Sequence, residues 1–280
     1  MPTFDTPEPL SAIVEFEYGT ARVIAGKRLD TVVSVLPTDG RRDADVKAAE
    51  EIQVTCDNGR LEIKGSKKRS LFGKSGSVEL TIELPAGSDV RGTAPAGVFS
   101  AEGRLGDCRF ESSAGDIHVA EVGAAFLKTE HGDVRLERAT GDVEVDAVGR
   151  VDLRTVAGAA TVKNLSGDTT IGEVTGELRA RSYSGSISVG VAHAGVDAKT
   201  ESGTIQISEV ARGEVTLTTA AGGIEVGVRQ SSAAWLEVNS QAGTVYNQMG
   251  STDAAAPGPG AETVKVTART SVGDIKIRRA

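Results

Sequence analysis

Aromatic residues are scarce in this chain of 280: six Phe, three Tyr and one Trp. That excludes a broad core organised around large rings, which supply much of the buried area where such cores occur. Cysteine is nearly absent too. Cys56 and Cys108 lie far apart in sequence, which fits neither a disulfide framework nor a metal knuckle, and they read as small core-filling thiols. No apolar run approaches the roughly 18 residues a membrane helix needs. The opening MPTFDTPEPLSAIVEFEY has no basic segment leading into an apolar one. No signal peptide is therefore read, and the expected address is cytoplasmic. Basic residues number 31 against 39 acidic ones, a formal charge of −8. A phosphate-binding surface needs a cationic footprint, so no nucleic-acid partner is expected.

What the chain has in quantity is valine, 32 residues, and glycine, 34. Valine favours strands, and glycine serves corners where φ is positive or backbones approach closely. From Gly97 to Gly223 the glycines recur in fourteen steps that average nine residues. A small or acidic residue and an alternating strand usually follow. Examples are Gly115-Asp116-Ile117-His118-Val119, Gly141-Asp142-Val143-Glu144-Val145 and Gly203-Thr204-Ile205-Gln206-Ile207. Alternation sends Ile117 and Val119 to one face and His118 to the other. A short fixed period of this kind is the mark of a solenoid.

Alternate steps resemble each other more than neighbours do, so the unit is about 18 residues carrying two short strands. The fold class is therefore all-β, a β-solenoid. In such a stack Ser166, Ser184 and Ser202 form a vertical polar ladder. Spacing alone leaves an antiparallel meander open. One elongated domain over 1–280 is expected, in three parts. Residues 1–96 form an irregular β part with strands at Ala12–Tyr18, Ala21–Ala25, Thr31–Leu36, Ile52–Cys56, Leu61–Lys64 and Val78–Leu84. Asp57-Asn58-Gly59 reads as a hairpin turn, and 43–51 as a short helix capped by Asp43. Residues 97–228 carry the regular repeats. Residues 229–280 supply closing strands at Ala234–Val238, Val264–Arg269 and Asp274–Ile277, around a Pro/Gly-rich loop at Gly250–Ala261.

The repeated Gly-Asp-Val strands, the segment Gly76-Ser77-Val78-Glu79-Leu80-Thr81-Ile82-Glu83-Leu84-Pro85-Ala86-Gly87 and the closing Gly273-Asp274-Ile275-Lys276-Ile277 resemble the bacterial "putative adhesin" β-strand-repeat family. Its other name is the toastrack domain. The opening Met1-Pro2-Thr3-Phe4-Asp5-Thr6-Pro7 resembles the actinobacterial branch. The resemblance implies a β-solenoid over essentially the whole chain, a link in some relatives to envelope-stress responses, and no catalytic residues to carry over.

Chemistry-bearing residues are few and scattered. His118, His131 and His193 fall too far apart in the repeat register to share a metal. Asp116, Asp133, Asp142 and Asp168 invite comparison with calcium-binding β-rolls, but the double-glycine motif is missing. They read as corner residues bonding their own backbone. Carbohydrate-active β-helices need grouped carboxylates on one outer face. The outward positions here are His118, Arg135, Asp152, Thr170, Ser188 and Gln206 in one set, and Arg109, Glu144, Thr161 and Arg179 in the other. Gly73-Lys74-Ser75 has the tail of a phosphate loop, but Lys68 stands where its first glycine belongs. Asn164-Leu165-Ser166 is a glycosylation sequon that matters only in a secreted chain.

One segment stands out from the acidic background. Lys64, Lys67, Lys68, Arg69 and Lys74 flank Leu71-Phe72 in a polar loop. Lys67, Lys68, Arg69, Leu71, Phe72 and Lys74 are the candidate partner-binding residues, since a basic loop with an apolar pair can dock another molecule. The expected function is a non-catalytic scaffold or interaction module whose partner is another protein, with no cofactor and no metal. A carbohydrate-binding or carbohydrate-active protein and a calcium β-roll are the alternatives.

Overall fold

Period-2 alternation buries one side of most strands in the structure, a computed structural model. It describes residues 1–65, 76–249 and 262–280. Among these are twenty-six strands and one helix. The chain divides into two compact units, Met1–Thr140 and Gly141–Ala280.

The first unit contains β1 (Thr3–Asp5), β2 (Ser11–Glu15), β3 (Tyr18–Gly26), β4 (Asp30–Pro37) and α1 (Asp43–Glu50). Next come β5 (Gln53–Asp57), β6 (Arg60–Lys64), β7 (Val78–Pro85) and β8 (Asp89–Arg104). It ends with β9 (Cys108–Ala114), β10 (Ile117–Val122), β11 (Ala125–Thr129) and β12 (Val134–Ala139). β8 serves two sheets. Its first half pairs with β2 and β9, its second half with β3 and β10, all parallel. Among the described residues the antiparallel pairs are β1–β4, β4–β7 and the β5–β6 hairpin. That hairpin turns through Asn58 and Gly59, both at positive φ, as Asp57-Asn58-Gly59 predicts.

The core of this unit holds its large rings. Phe16 meets Phe99 edge-on at 5.5 Å, and Phe99 stacks on Phe110 at 4.8 Å. Gly92 makes room for them: a Cβ there would lie 2.4 Å from the Phe99 ring. The helix corrects one expectation. Its N-cap is Arg42, with no side-chain cap, and Asp43 is the first helical residue. The anchoring acid is Asp45 instead. It is fully buried and accepts the N–H groups of Asp39 (3.2 Å) and Ser77 (3.1 Å).

The second unit is more regular. It contains β13 (Val143–Ala147), β14 (Val151–Val156), β15 (Ala160–Ser166), β16 (Thr169–Val174), β17 (Leu178–Ser184) and β18 (Ile187–Ala192). After these come β19 (Val196–Ser202), β20 (Ile205–Val210), β21 (Gly213–Ala221) and β22 (Ile224–Val228). The last are β23 (Ala233–Ala242), β24 (Val245–Gln248), β25 (Thr263–Val272) and β26 (Ile275–Arg279). Successive coils stack in parallel register, Val143 on Ala160 on Leu178 on Val196 on Val215. Two strands per coil and steps of about 18 residues are as the sequence predicts. Parallel stacking settles the arrangement that spacing leaves open.

The last coils do not follow chain order. β25 lies between β21 and β23, and β26 between β22 and β24. Side-chain quality explains the exchange. Val264, Val266, Ala268, Ile275 and Ile277 are all fully buried in the inner slot. β23 and β24 offer Ala234, Leu236, Val238, Val245 and the polar Asn247 at the matching positions, and they take the outer one.

Corners are built from two cooperating groups. Gly185 and Gly203 have φ of +142° and +148°, and a Cβ on Gly203 would lie 2.2 Å from the Gly185 carbonyl oxygen. Three residues before such a glycine, a small polar side chain points inward. Thr200 donates to the Gly185 carbonyl (3.1 Å), Thr219 to Gly203 (3.0 Å) and Thr270 to Gly222 (2.9 Å). In the first unit Ser112 and Thr129 do the same to Gly97 and Gly115, each at 2.9 Å. This buried ladder satisfies corner carbonyls that would otherwise be unpaired.

Candidate functional site

Every candidate partner-binding residue, Lys67, Lys68, Arg69, Leu71, Phe72 and Lys74, lies outside the described residues, as does Gly250–Ala261. Both ends of the basic segment are nonetheless held. On one side Lys64 pairs with Glu62 at 2.7 Å, and Gly65 donates to the Glu15 carbonyl at 2.7 Å. On the other, Ser77 is tied to the buried Asp45. Gly76 sits so close to α1 that a Cβ would lie 2.0 Å from the Ala44 carbonyl oxygen.

Corner carboxylates act on the neighbouring coil rather than on their own backbone, which corrects the expectation. Asp116 accepts the Asp133 N–H (2.8 Å), Asp142 that of Ala159 (2.8 Å) and Asp168 that of Ser186 (2.9 Å). Asp107 and Asp274 repeat the pattern with Ala124 and Thr244. Each carboxylate thus supplies the hydrogen bond that the next coil's corner amide lacks. Among the described residues no group of three or more His, Cys, Asp or Glu could hold a metal ion.

The histidines stay apart in their surroundings. His118 is exposed beside Arg135 in the β10–β12 register. His131 lies on a corner, its Nδ1 3.4 Å from the Ser113 carbonyl oxygen. His193 Nε2 is 2.8 Å from Glu173 Oε1. Both cysteines are free thiols. Burial pushes both of them above the ordinary thiol range, so neither has thiolate character at neutral pH.

The outward side chains form columns, as predicted. Asp152, Thr170, Ser188 and Gln206 stack on one face of the second unit, and Glu144, Thr161, Arg179 and Asp197 on the other. Charged members pair across coils. Lys163 reaches Glu144 (3.6 Å) and Arg181 pairs with Asp197, while Lys199 and Glu201 pair along one strand (2.8 Å). Ser166, Ser184 and Ser202 do stand in one column, but they are exposed. The buried ladder runs two residues earlier, through Asn164, Ser182 and Thr200.

The coil of β23 and β24 is the feature that the sequence reading missed. Trp235 is 70% exposed and Tyr246 47%, while the inward-facing Ala234, Leu236 and Val238 are only half-buried. β23 pairs with β25 and β24 with β26, and among the described residues neither has a second neighbour. A bulky ring at an outward position and a polar Asn247 at an inward one were the available signals.

Two stacked parallel sheets with glycine corners, internal hydroxyl ladders and paired surface charges define a β-solenoid scaffold in each unit. Residues 22–278 match the family model described as Toastrack DUF4097, and the chain belongs to that family. No curated protein matches it. Among solved structures it is similar to a "putative adhesin" from Bacteroides fragilis, at 14% identity and a TM-score of 0.37, covering 99% of this chain and 95% of that one. It is also similar to a "putative adhesin" from Parabacteroides distasonis, at 10% identity and a TM-score of 0.33, covering 100% and 95%. A "putative lipid binding protein" from Parabacteroides distasonis is similar at 10% identity and a TM-score of 0.29, covering 100% and 95%. Similarity at this level says nothing about what this chain binds.

Proposed function

We propose that the protein is a non-catalytic scaffold that docks another protein, in a surface- or envelope-stress-related process. The observation that carries this reading is the structural employment of its polar groups. Corner carboxylates hold the next coil's amides, and outward charges hold one another across coils. Groups fixed in that way build a rigid, patterned surface, which suits recognition better than proton transfer.

The docking element in this reading is the basic segment Lys67, Lys68, Arg69, Leu71, Phe72 and Lys74, and its pinned ends support it. A cation-rich loop on a chain of charge −8 would meet an acidic partner. The same reading proposes a cytoplasmic address, which the two free thiols fit; cell fractionation tests it. An affinity pull-down from native lysate tests the docking. The Lys67→Glu/Lys68→Glu/Arg69→Glu variant should lose a protein that the unaltered chain retains. Identical captured proteins would remove the loop from consideration.

A further inference from the structure

The free edge of β23 can be read residue by residue. Ala233 donates its N–H to the Glu262 carbonyl at 2.9 Å. In a parallel ladder alternate residues serve one neighbour, so Ala234, Leu236 and Val238 turn their main-chain N–H and C=O groups the other way, to the open edge. Their side chains point inward beneath Val264, Val266 and Ala268. Proteins usually blunt such an edge with proline, charge, a bulge or short length. β23 has ten residues, no proline and one charge, Glu237, which Arg269 neutralises at 2.6 Å.

We infer that the β23–β24 coil is a homodimer interface, occupied by the same coil of a second copy in antiparallel register. The free groups are self-complementary about a two-fold axis at Leu236. Leu236 faces Leu236 of the other copy, and Ala234 faces Val238, which makes about six main-chain hydrogen bonds. The half-open interior at Leu236 and Val238 is then closed by its own counterpart.

Charge selects a second copy. Two molecules of charge −8 repel over most of their surfaces, but residues 233–248 carry a single ionised group. The axis sets Glu237 opposite Trp235 rather than opposite the other Glu237, so like charges do not meet. Trp235 and Tyr246 are the residue types that anchor interfaces. The pairing uses each free edge once and stops at two. Continued head-to-tail stacking would need a matching parallel edge elsewhere. The outermost strands of the first unit, β1 and β5, are three and five residues long and pair antiparallel. This inference stands apart from the basic-loop reading.

Sedimentation velocity over a concentration series tests it. The expected species has twice the 28.9 kDa chain mass, and Leu236→Lys, an inward charge on the edge, should return it to the single mass with its circular dichroism unchanged. A wild-type chain that stays at 28.9 kDa throughout overturns the proposal. The register has its own test, in a Cys56→Ser background. Trp235→Cys and Glu237→Cys chains are prepared separately, mixed and oxidised. Facing, non-hydrogen-bonded residues lie about 4.5 Å apart, within disulfide reach. A covalent dimer should form in the mixture and in neither chain alone. Cross-linking within either single variant, or none in the mixture, rejects the two-fold at Leu236.

Discussion

The two units solve one problem, closing a stack of short strands, with different materials. Among the described residues every Phe lies in the first unit, and Phe16, Phe99 and Phe110 form its ring cluster. The second unit has no Phe, and its Tyr183, Trp235 and Tyr246 are all exposed. Its interior is Val, Ala, Leu and Ile in repeated layers, such as Ala180 and Ala198 in one sheet against Val189 and Ile207 in the other. Irregular topology, with β8 shared between sheets and antiparallel strands alongside, leaves wider spaces that rings fill. Uniform coils leave a narrow space that aliphatic side chains fill, and the polar ladder bonds the corner carbonyls of Gly149, Gly185, Gly203 and Gly222. Stability should therefore be concentrated at a few residues in the first unit and distributed over many in the second.

The sharpest test of that contrast is Phe99→Ala. Phe99 is fully buried and touches rings on both sides, so its loss should cost about 3–5 kcal/mol. Ile171→Val, at an equally buried position in the second unit, should cost only about 0.5–1.5 kcal/mol. Urea midpoints read both. Equal shifts would break the comparison.

The corner ladder gives a finer test within the second unit. Thr200→Val removes the donor to the Gly185 carbonyl and leaves a buried acceptor unpaired, at a cost of about 1–3 kcal/mol. One coil away, the buried Ser182 hydroxyl has no hydrogen-bond partner among the described residues. Ser182→Ala should therefore be neutral or stabilising, because it deletes an unsatisfied group. The chain already carries Ala147 at the equivalent ladder position, two residues before Gly149. If both substitutions cost the same, the ladder acts by packing alone.

Legibility followed the same division. In the second unit one physical rule, glycine where backbones must approach, recurs every coil, so strand positions and outward columns could be read directly. The ladder was readable too, since Thr200, Thr219 and Thr270 each stand three residues before a glycine. The serine column at 166, 184 and 202 drew the eye because its neighbours are similar, yet it faces solvent. Chain order hides the exchange of β23–β24 with β25–β26, because that choice depends on which coil buries better rather than on which comes first. In the first unit strands were legible by alternation, but the anchoring role of Asp45 was not. It depends on Ser77, far along the chain, coming back to meet it.

The smallest expected effect concerns acid. In the first unit the Arg28 guanidinium donates to Asp30 and also reaches Glu83. The hydrogen bond from Arg28 holds the Asp30 carboxyl below its ordinary range, and that from Lys64 does the same for Glu62. A carboxylate whose folded-state pKa lies below the unfolded value contributes stability that is present above the unfolded value and lost as pH falls through the folded one. The melting temperature should accordingly decline as pH drops below about 4, the ordinary carboxylate range. Asp30→Asn should flatten part of that decline and change little at neutral pH, since exposed pairs contribute modestly and are screened by salt. The outward charges of the second unit pair across coils in similar fashion, so Glu144→Gln, which frees Lys163 from its partner, makes the matched control. A slope unchanged by Asp30→Asn but altered by Glu144→Gln would move the acid sensitivity from the irregular unit to the regular one.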